Sequence, residues 1–491
     1  MRRIEELTFA GGATAESLME SVGRQIAQAV SQVRRRAGIA VVYYGKGHNG
    51  GDALVAAQHL VEAGWEIELR PQEQDSSKLA DLTRLKLEQL EHARLGRPVR
   101  RELRQRVILD GLLGIGATGP LREDIRTLTR EINSRRITDN IRVFAVDIPT
   151  GLDGDTGEAD PDCVVADITV TAGYAKTGLV VDGAAAFVGR LCVAPIEEFA
   201  PHAPAEFAGE TATPESLRGV LPLRNFDSHK TQFGRIAVIA GSPGFIGAAV
   251  LCASGALRGG AGLVTVYAPE DIQPLLAIMS PPEIMVRPVK SYEEVIGQKH
   301  DVLAVGPGLG KERAGAILQL IEHAAGPMVL DADGLNIVAE HDTGLLARCA
   351  GPRLLTPHPG EMARLFPESK NLSRHETATR FTARFATARF PITLLLKGSR
   401  TIIHEHGKPA SYNTTGNPGM GTGGMGDVLA GVCAALIGQH LSPYDAARTG
   451  AWLCGRAAEF ALRGPADESL AALDVVESLG AAFTLLRSAS L

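Results

Sequence analysis

Runs of consecutive apolar residues that stop at glycine alternate along this chain with stretches whose apolar positions fall three and four apart. In the first half the runs are IAVVYYGKGHNGGD (39–52), RVILDGLLGIGATGP (106–120) and IRVFAVDIPTGLDGDTG (141–157). In the second they are RIAVIAGSPGFIGAA (235–249), DVLAVGPGLG (301–310), MVLDADGLNIV (328–338) and RLLTPHPGE (353–361). Unbroken apolar runs predict strands covered on both faces. Strand, loop and helix in alternation predict an α/β protein with mostly parallel sheets and sites at the strands' carboxyl ends. TLLLKGSRTIIHE (393–405) predicts two strands around a turn, and DVLAGVCAALIGQHL (427–441) a helix, with Val428, Leu429, Val432 and Leu436 at helical spacing. FAPHAPAEFAGETATPESLRGV (199–220) has no period and is rich in Ala, Pro and acids, which predicts a linker with a domain boundary near residue 210.

Length and composition narrow the class. A chain of 491 residues exceeds one ordinary core, so two or three domains are expected, and 45% hydrophobic with 22% charged residues is a globular balance. A net charge of −6 argues against non-specific nucleic-acid binding, and the runs Arg34–Arg36 and Arg100–Arg101 read as solvated faces. The six cysteines (163, 192, 252, 349, 433 and 454) form no CxxC pair, which fits reduced, mostly buried thiols and gives no zinc site. No apolar h-region opens the chain and no apolar stretch has membrane-spanning length, so a cytoplasmic protein without membrane or nucleic-acid partners is expected.

GxGxxG occurs in three loops, as GKGHNG (45–50), GIGATG (114–119) and GTGGMG (421–426). A dinucleotide fingerprint also needs a strand before, a helix after and an acid ending the next strand. The first two loops follow strands but show no clear acid at the end of the following one, and the third opens a helix with no evident strand before it. The pattern therefore says only that backbone lies near phosphate. GNPGMGTGGMGDVLAG (416–431) places seven glycines in sixteen residues before a helix, which delivers bare amides to its N-terminus, an anion site. Asp427 in that first turn is either an ordinary cap or a base taking a proton from a nucleophile that attacks a phosphoryl group; the glycine approach favours the base.

In the first half, Asn49 and Asp52 flank Gly50–Gly51, and Asp110 and Asp147 end strands, with Thr150 nearby. These oxygens suit one hard cation; Asp147 is alternatively a general base, and each aspartate alone reads equally as a cap or turn former. In the second half Ala248 leaves room for a flat ligand, His358 is held between prolines, and Lys397 and Arg400 offer cations to phosphate.

These residues together resemble a family. HNGGD, LDGLLGIGATG and VDIPTG look like the epimerase domain of the bifunctional NAD(P)H-hydrate repair enzymes. GSPGFIGAA, GPGLG, TPHPGE, KGSRT and GNPGMGTGGMGDVLAG look like their ADP-dependent dehydratase domain, a ribokinase-like superfamily member. The resemblance implies a Rossmann-like three-layer α/β/α epimerase domain over 1–210 and a ribokinase-like α/β/α domain over 211–491. The first would interconvert R- and S-NADHX or NADPHX; the second would dehydrate the S epimer with ADP, giving AMP, phosphate and the restored cofactor. It further implies hydrate binding by His48, Asn49, Gly50, Gly51, Asp52, Gly114, Ile115, Gly116, Ala117, Thr118, Gly119, Pro120 and Asp147. Potassium would sit on Asn49, Asp110 and Thr150. In the second domain Ala248, Gly308, His358 and Asp427 would line the hydrate site, and Lys397, Gly398, Ser399, Arg400, Thr401 and Gly426 would hold the nucleotide, with Mg2+ on its diphosphate. Asp147 and Asp427 would be catalytic, and a homo-oligomer is the expected assembly. Two departures stand out: His48 and Ala53 turn the family's NNGGDG into HNGGDA, and Thr150 turns VDIPSG into VDIPTG. The competing reading is a ribokinase-like small-molecule kinase with a non-catalytic, ligand-binding first domain.

Overall fold

The structure, a computed structural model, describes residues 1–34, 36–95, 105–117, 119–203, 209–462 and 467–488. Arg35, Arg100, Arg101 and Thr118 lie outside the described residues. The chain divides into two compact units, Met1–Glu206 and Phe207–Leu491.

The first unit is built on six strands: β1 (Ile39–Tyr44), β2 (Glu66–Pro71), β3 (Arg106–Gly111), β4 (Arg142–Val146), β5 (Ile168–Ala172) and β6 (Arg190–Ala194). They form one parallel sheet in the order β2-β1-β3-β4-β5-β6. Alternate side chains of β1 divide between two cores, which explains its unbroken apolar run. Ala40, Val42 and Tyr44 pack with Leu18, Ile26, Leu54 and Leu90 of the helices Ala15–Val33, His48–Glu62 and Asp81–Arg94. Val41 and Tyr43 pack on the other face with Ile132 of the helix Glu123–Thr138. Three α/β/α layers result, as expected.

The second unit carries a 10-stranded sheet in the order β10-β9-β8-β11-β12-β13-β14-β15-β16-β7. Its strands are β7 (Gly209–Ala212), β8 (Arg235–Ile239), β9 (Leu263–Ala268), β10 (Ile284–Pro288), β11 (Val302–Val305), β12 (Met328–Leu330), β13 (Arg353–Leu355), β14 (Ile392–Leu396), β15 (Ile402–Glu405) and β16 (Ala410–Asn413). All pairs are parallel except the hairpin ladders β14–β15 and β15–β16. The helix Met425–Gly438 is buried along its whole length from Val428, as its all-round apolar sequence requires. It crosses the helix Ile246–Arg258 backbone to backbone: a Cβ on Gly431 would stand 1.9 Å from the Cys252 carbonyl oxygen, and one on Gly255 2.4 Å from that of Val428.

The linker reading of 199–220 needs correction. Gly209–Ala212 is an edge strand, and Pro214–Leu217 is one helical turn with a Thr213–Ser216 capping box. Four small and polar residues carry no periodic signal. Tertiary contacts hold the strand instead: Tyr444 Oη donates to Glu210 Oε1 at 3.1 Å, Arg448 Nη2 lies 2.7 Å from the same oxygen, and Thr414 Oγ1 donates to the Ala212 carbonyl at 2.6 Å.

All six cysteines are free and five are buried. Among the described residues no helix is long and apolar enough to cross a membrane.

Candidate active sites

In the first unit the strand order reverses about β1, so the carboxyl ends of β1, β3, β4 and β5 border a crevice. Behind β1 the chain turns into the helix His48–Glu62 through a close backbone approach that needs glycine: a Cβ on Gly45 would lie 2.0 Å from the Leu112 carbonyl oxygen, and one on Gly50 in the helix's first turn 2.0 Å from the Gly45 carbonyl oxygen. His48 is exposed in the first turn.

Asn49, Asp110 and Thr150 do converge. Asp110 is wholly buried; its carboxylate accepts the Thr150 backbone N–H at 2.8 Å and the Thr150 hydroxyl at 2.7 Å. The Leu113 N–H donates to Thr150 Oγ1 at 3.1 Å, and Asn49 Nδ2 donates to the Leu113 carbonyl at 2.9 Å. Burial pushes the Asp110 carboxyl up to about 6 against the Thr150 and Leu112 hydrogen bonds.

Asp147 follows β4 in a left-handed conformation, φ 65°, which a non-glycine residue holds only under tertiary constraint. The constraint is its own hydrogen bonding. Oδ1 accepts from Thr171 Oγ1 and the Ala172 N–H, both at 3.1 Å, and from the ammonium of Lys176. Lys176, 6% exposed, also donates to Thr171 Oγ1 at 2.8 Å. Asp147 is therefore one half of a carboxylate–ammonium pair rather than a lone carboxylate. Lys176 escaped the sequence reading, although a single lysine just past the apolar strand ITVTA was a usable signal. Asp52 faces the same pair: burial and the Asp147 charge push its carboxyl well above the ordinary range. Of the loop Gly114–Pro120, Gly114 packs against Asn49, while Gly116, Ala117, Gly119 and Pro120 are exposed beside the crevice and Ile115 is half-buried.

In the second unit the ends of β12, β13 and β14 meet the start of the helix Met425–Gly438. That helix begins from Gly424 at φ 90° without a side-chain cap, so its first amides are free for an anion. Lys397, just past β14, reaches Asp331 Oδ1 at 2.8 Å and Glu361 Oε2 at 3.8 Å. Its ammonium lies 3.2 Å from where a Cβ on Gly426 would stand, so glycine is what lets it reach the helix start. Burial alone would lower Lys397, but Asp331, Glu361 and Asp427 outweigh it and hold it above its ordinary value. Burial, then the Asp331 charge, pushes the Asp427 carboxyl up to about 7 against the pull of Lys397. A carboxyl poised there accepts and releases protons at working pH. Asp331 and Glu361 were passed over within MVLDADGLNIV and TPHPGE; an acid directly closing an apolar strand was the available signal for Asp331.

Other expectations change. His358 is also a helix cap: its Nδ1 accepts the Gly360 N–H at 3.0 Å, Glu361 Oε2 accepts the His358 N–H at 2.8 Å, and its Nε2 lies 3.5 Å from Glu361 Oε1. Arg400 does not display a cation on its turn, being 3% exposed. The turn is instead braced by Arg374, whose Nη2 donates to the Arg400 carbonyl at 2.6 Å and whose Nη1 leaves no room for a Cβ on Gly398. Ser399 is exposed, and Thr401 Oγ1 closes the turn onto the Gly398 carbonyl at 3.2 Å. Ala248 and Gly308 do meet: a Cβ on Gly308 would stand 2.9 Å from that of Ala248.

Two family models match the chain, YjeF-related protein N-terminus over residues 15–178 and NAD(P)H-hydrate dehydratase over residues 236–479. A bifunctional NAD(P)H-hydrate repair enzyme of Moorella thermoacetica is 36% identical, with 94% of this chain and 91% of that protein covered. The Escherichia coli protein of the same description is 35% identical, with 91% and 85% covered. Among solved structures, a ribokinase-like superfamily protein from Enterococcus faecalis is 25% identical with a TM-score of 0.50, covering 58% of this chain and 99% of that one.

Proposed function

The chain belongs to the bifunctional NAD(P)H-hydrate repair enzymes, and from that premise we propose how its two sites divide the work. The protein joins an NAD(P)H-hydrate epimerase, an isomerase, to an NAD(P)H-hydrate dehydratase, a lyase. The first unit carries the first activity and the second unit the second.

The observation that carries the dehydratase reading is the juxtaposition of Asp427, titrating at about 7, with an uncapped helix start and the ammonium of Lys397. The hydrate sits against Ala248, Gly308 and His358. ADP lies along Lys397–Thr401 with its terminal phosphoryl at Gly426. Asp427 takes the proton of the hydrate's hydroxyl as that oxygen attacks the phosphoryl group and AMP departs. The C–O bond then breaks with phosphate as leaving group, a far better one than hydroxide, and the neighbouring ring carbon gives up a proton to restore the double bond. Lys397 and the first-turn amides of the helix stabilise the charge that builds on the transferred group.

Among the described residues no group of three or more His, Cys, Asp or Glu forms a metal cage. Magnesium fits the site as Mg2+ usually binds, through one or two carboxylates and substrate phosphates. Asp331 and Glu361 are the carboxylates placed to hold it, and its role when bound is to neutralise diphosphate charge.

In the first unit the hydrate lies along His48–Asp52, the loop Gly114–Pro120 and Asp147, and the Asp147–Lys176 pair moves the protons of epimerisation. Potassium fits Asn49, Asp110 and Thr150: the donors are all oxygen, and the wholly buried Asp110 carboxylate calls for a compensating positive charge. When bound, the ion supplies that positive charge.

The test is a mixed-epimer NADHX assay with ADP and Mg2+, following the return of dihydronicotinamide absorbance. Full, ADP-dependent recovery is expected. Recovery that stops at the S fraction refutes the epimerase assignment. A stable phosphorylated product formed with ATP, and no regenerated cofactor, refutes the dehydratase in favour of a small-molecule kinase.

A further inference from the structure

The glycine loop after β1 has the acid that its sequence did not reveal. Strand β2 ends at Pro71, Glu73 stands two residues beyond, and Glu73 follows Gly50 by 23 residues. The run EIELRPQEQ had not read as a strand, because an edge strand with charged alternate positions lacks an apolar block. Strand, glycine loop, helix and an acid past the next strand are the parts of a dinucleotide site, in which the acid accepts from a ribose hydroxyl.

A cavity of about 300 Å³ opens beside Glu73. That is the lower end of the range for ligand pockets and suits a nucleoside rather than a whole dinucleotide. Tyr44, Pro71, Leu79 and Leu87 supply apolar walls, with the Tyr44 ring at the end of β1 directly before the glycine loop. The segment walling the cavity is tied to that loop. The Ala80 N–H donates to the Lys46 carbonyl at 2.9 Å, and Thr83 Oγ1 donates to the Gly47 carbonyl at 3.0 Å.

Charge decides which nucleoside fits. The Asp75 N–H and the Lys78 ammonium hold Glu73 below the usual carboxylate range. Arg84, the one basic residue of the wall, is engaged by Asp81 at 2.7 Å, and Lys78 by Glu73 at 3.2 Å. Glu88 and Glu91 add two further carboxylates, so Glu73, Asp81, Glu88 and Glu91 face Lys78 and Arg84 with a surplus of two negative charges. A phosphate monoester on the ribose, at roughly −1.5 to −2, would meet this surplus with both cations already engaged.

We propose that this cavity receives the adenosine end of the hydrated dinucleotide, with Glu73 accepting from its ribose hydroxyls, so that the first unit selects the substrate without a 2′-phosphate. The assignment rests on the epimerase reading of that unit. It is tested on the full chain by following exchange between separated epimers of NADHX and NADPHX by chromatography. Wild type should show a KM for NADPHX at least tenfold above that for NADHX. Glu73→Gln should bring the ratio toward one, and Glu73→Arg, on a solvent-facing loop, should invert it. Equal KM values in wild type, or a ratio that neither variant moves, overturn the assignment. Exchange of neither substrate instead refutes the epimerase reading. The cavity is then judged by titrating NAD+ and NADP+ into wild type and Glu73→Arg, where an unchanged affinity ratio overturns it.

Discussion

Replacing Asp427 by Asn should separate catalysis from stability. The Asp427 carboxyl titrates at about 7 in the fold, against about 3.9 in a free chain. A shift of about three units corresponds to a ceiling of about 4 kcal/mol. Partial exposure and coupling to Asp331 and Lys397 reduce this to about 1–2 kcal/mol. The sign follows from linkage: the folded value lies above the unfolded one, so the contribution is fully present below about pH 4 and lost as pH rises through about 7. Asp427→Asn removes the group that loses it. The variant should match wild type near pH 4.5 and exceed it by about 1–2 kcal/mol at pH 8, while ADP-dependent dehydration falls by at least 100-fold and epimerisation persists. Denaturant unfolding of the ligand-free protein across this pH range, reading the second unit's transition, measures the first effect, and recovery of NADH absorbance the second. An Asn variant whose advantage does not grow with pH refutes the burial argument. One that keeps most of the rate with unchanged ADP affinity refutes the base.

Lys176→Met should abolish epimer exchange, since Asp147 then lacks its paired ammonium, and should leave ADP-dependent dehydration of pure S-NADHX intact; loss of both would place Lys176 in folding instead. Gly431→Ala would set a Cβ 1.9 Å from the Cys252 backbone oxygen, and neither helix can yield by side-chain rotation, so a loss of about 3 kcal/mol or more is expected in thermal unfolding. Arg353, fully buried, donates to the carbonyls of Ile321, Ala324, Gly326 and Pro352; Arg353→Met leaves four acceptors unserved and should cost about 3 kcal/mol or more, visible as a lowered denaturation midpoint.

The sequence by itself determined the α/β class, the parallel strands and the residues that close them. An unbroken run such as IAVVYY reads as a strand covered on both faces, and the glycines at 50 and 426 mark places where backbone or an ammonium comes close. It also determined that Asp427 stands in the first turn of a helix, whereas the absence of a side-chain cap there emerged only from the fold. Tertiary structure alone decided what each charge meets. Lys176 and Asp147 lie 29 residues apart and Lys397 and Asp331 66 apart, and nothing local predicts either pair. The same holds for β7, whose four small and polar residues carry no periodicity, and for β2, whose short charged–apolar alternation lacks an apolar block; the pairing of both comes from neighbours distant in the chain. Apolar periodicity records burial, a property of one segment. Charge pairing and edge-strand docking are properties of two segments, fixed only when the sheet brings their ends together.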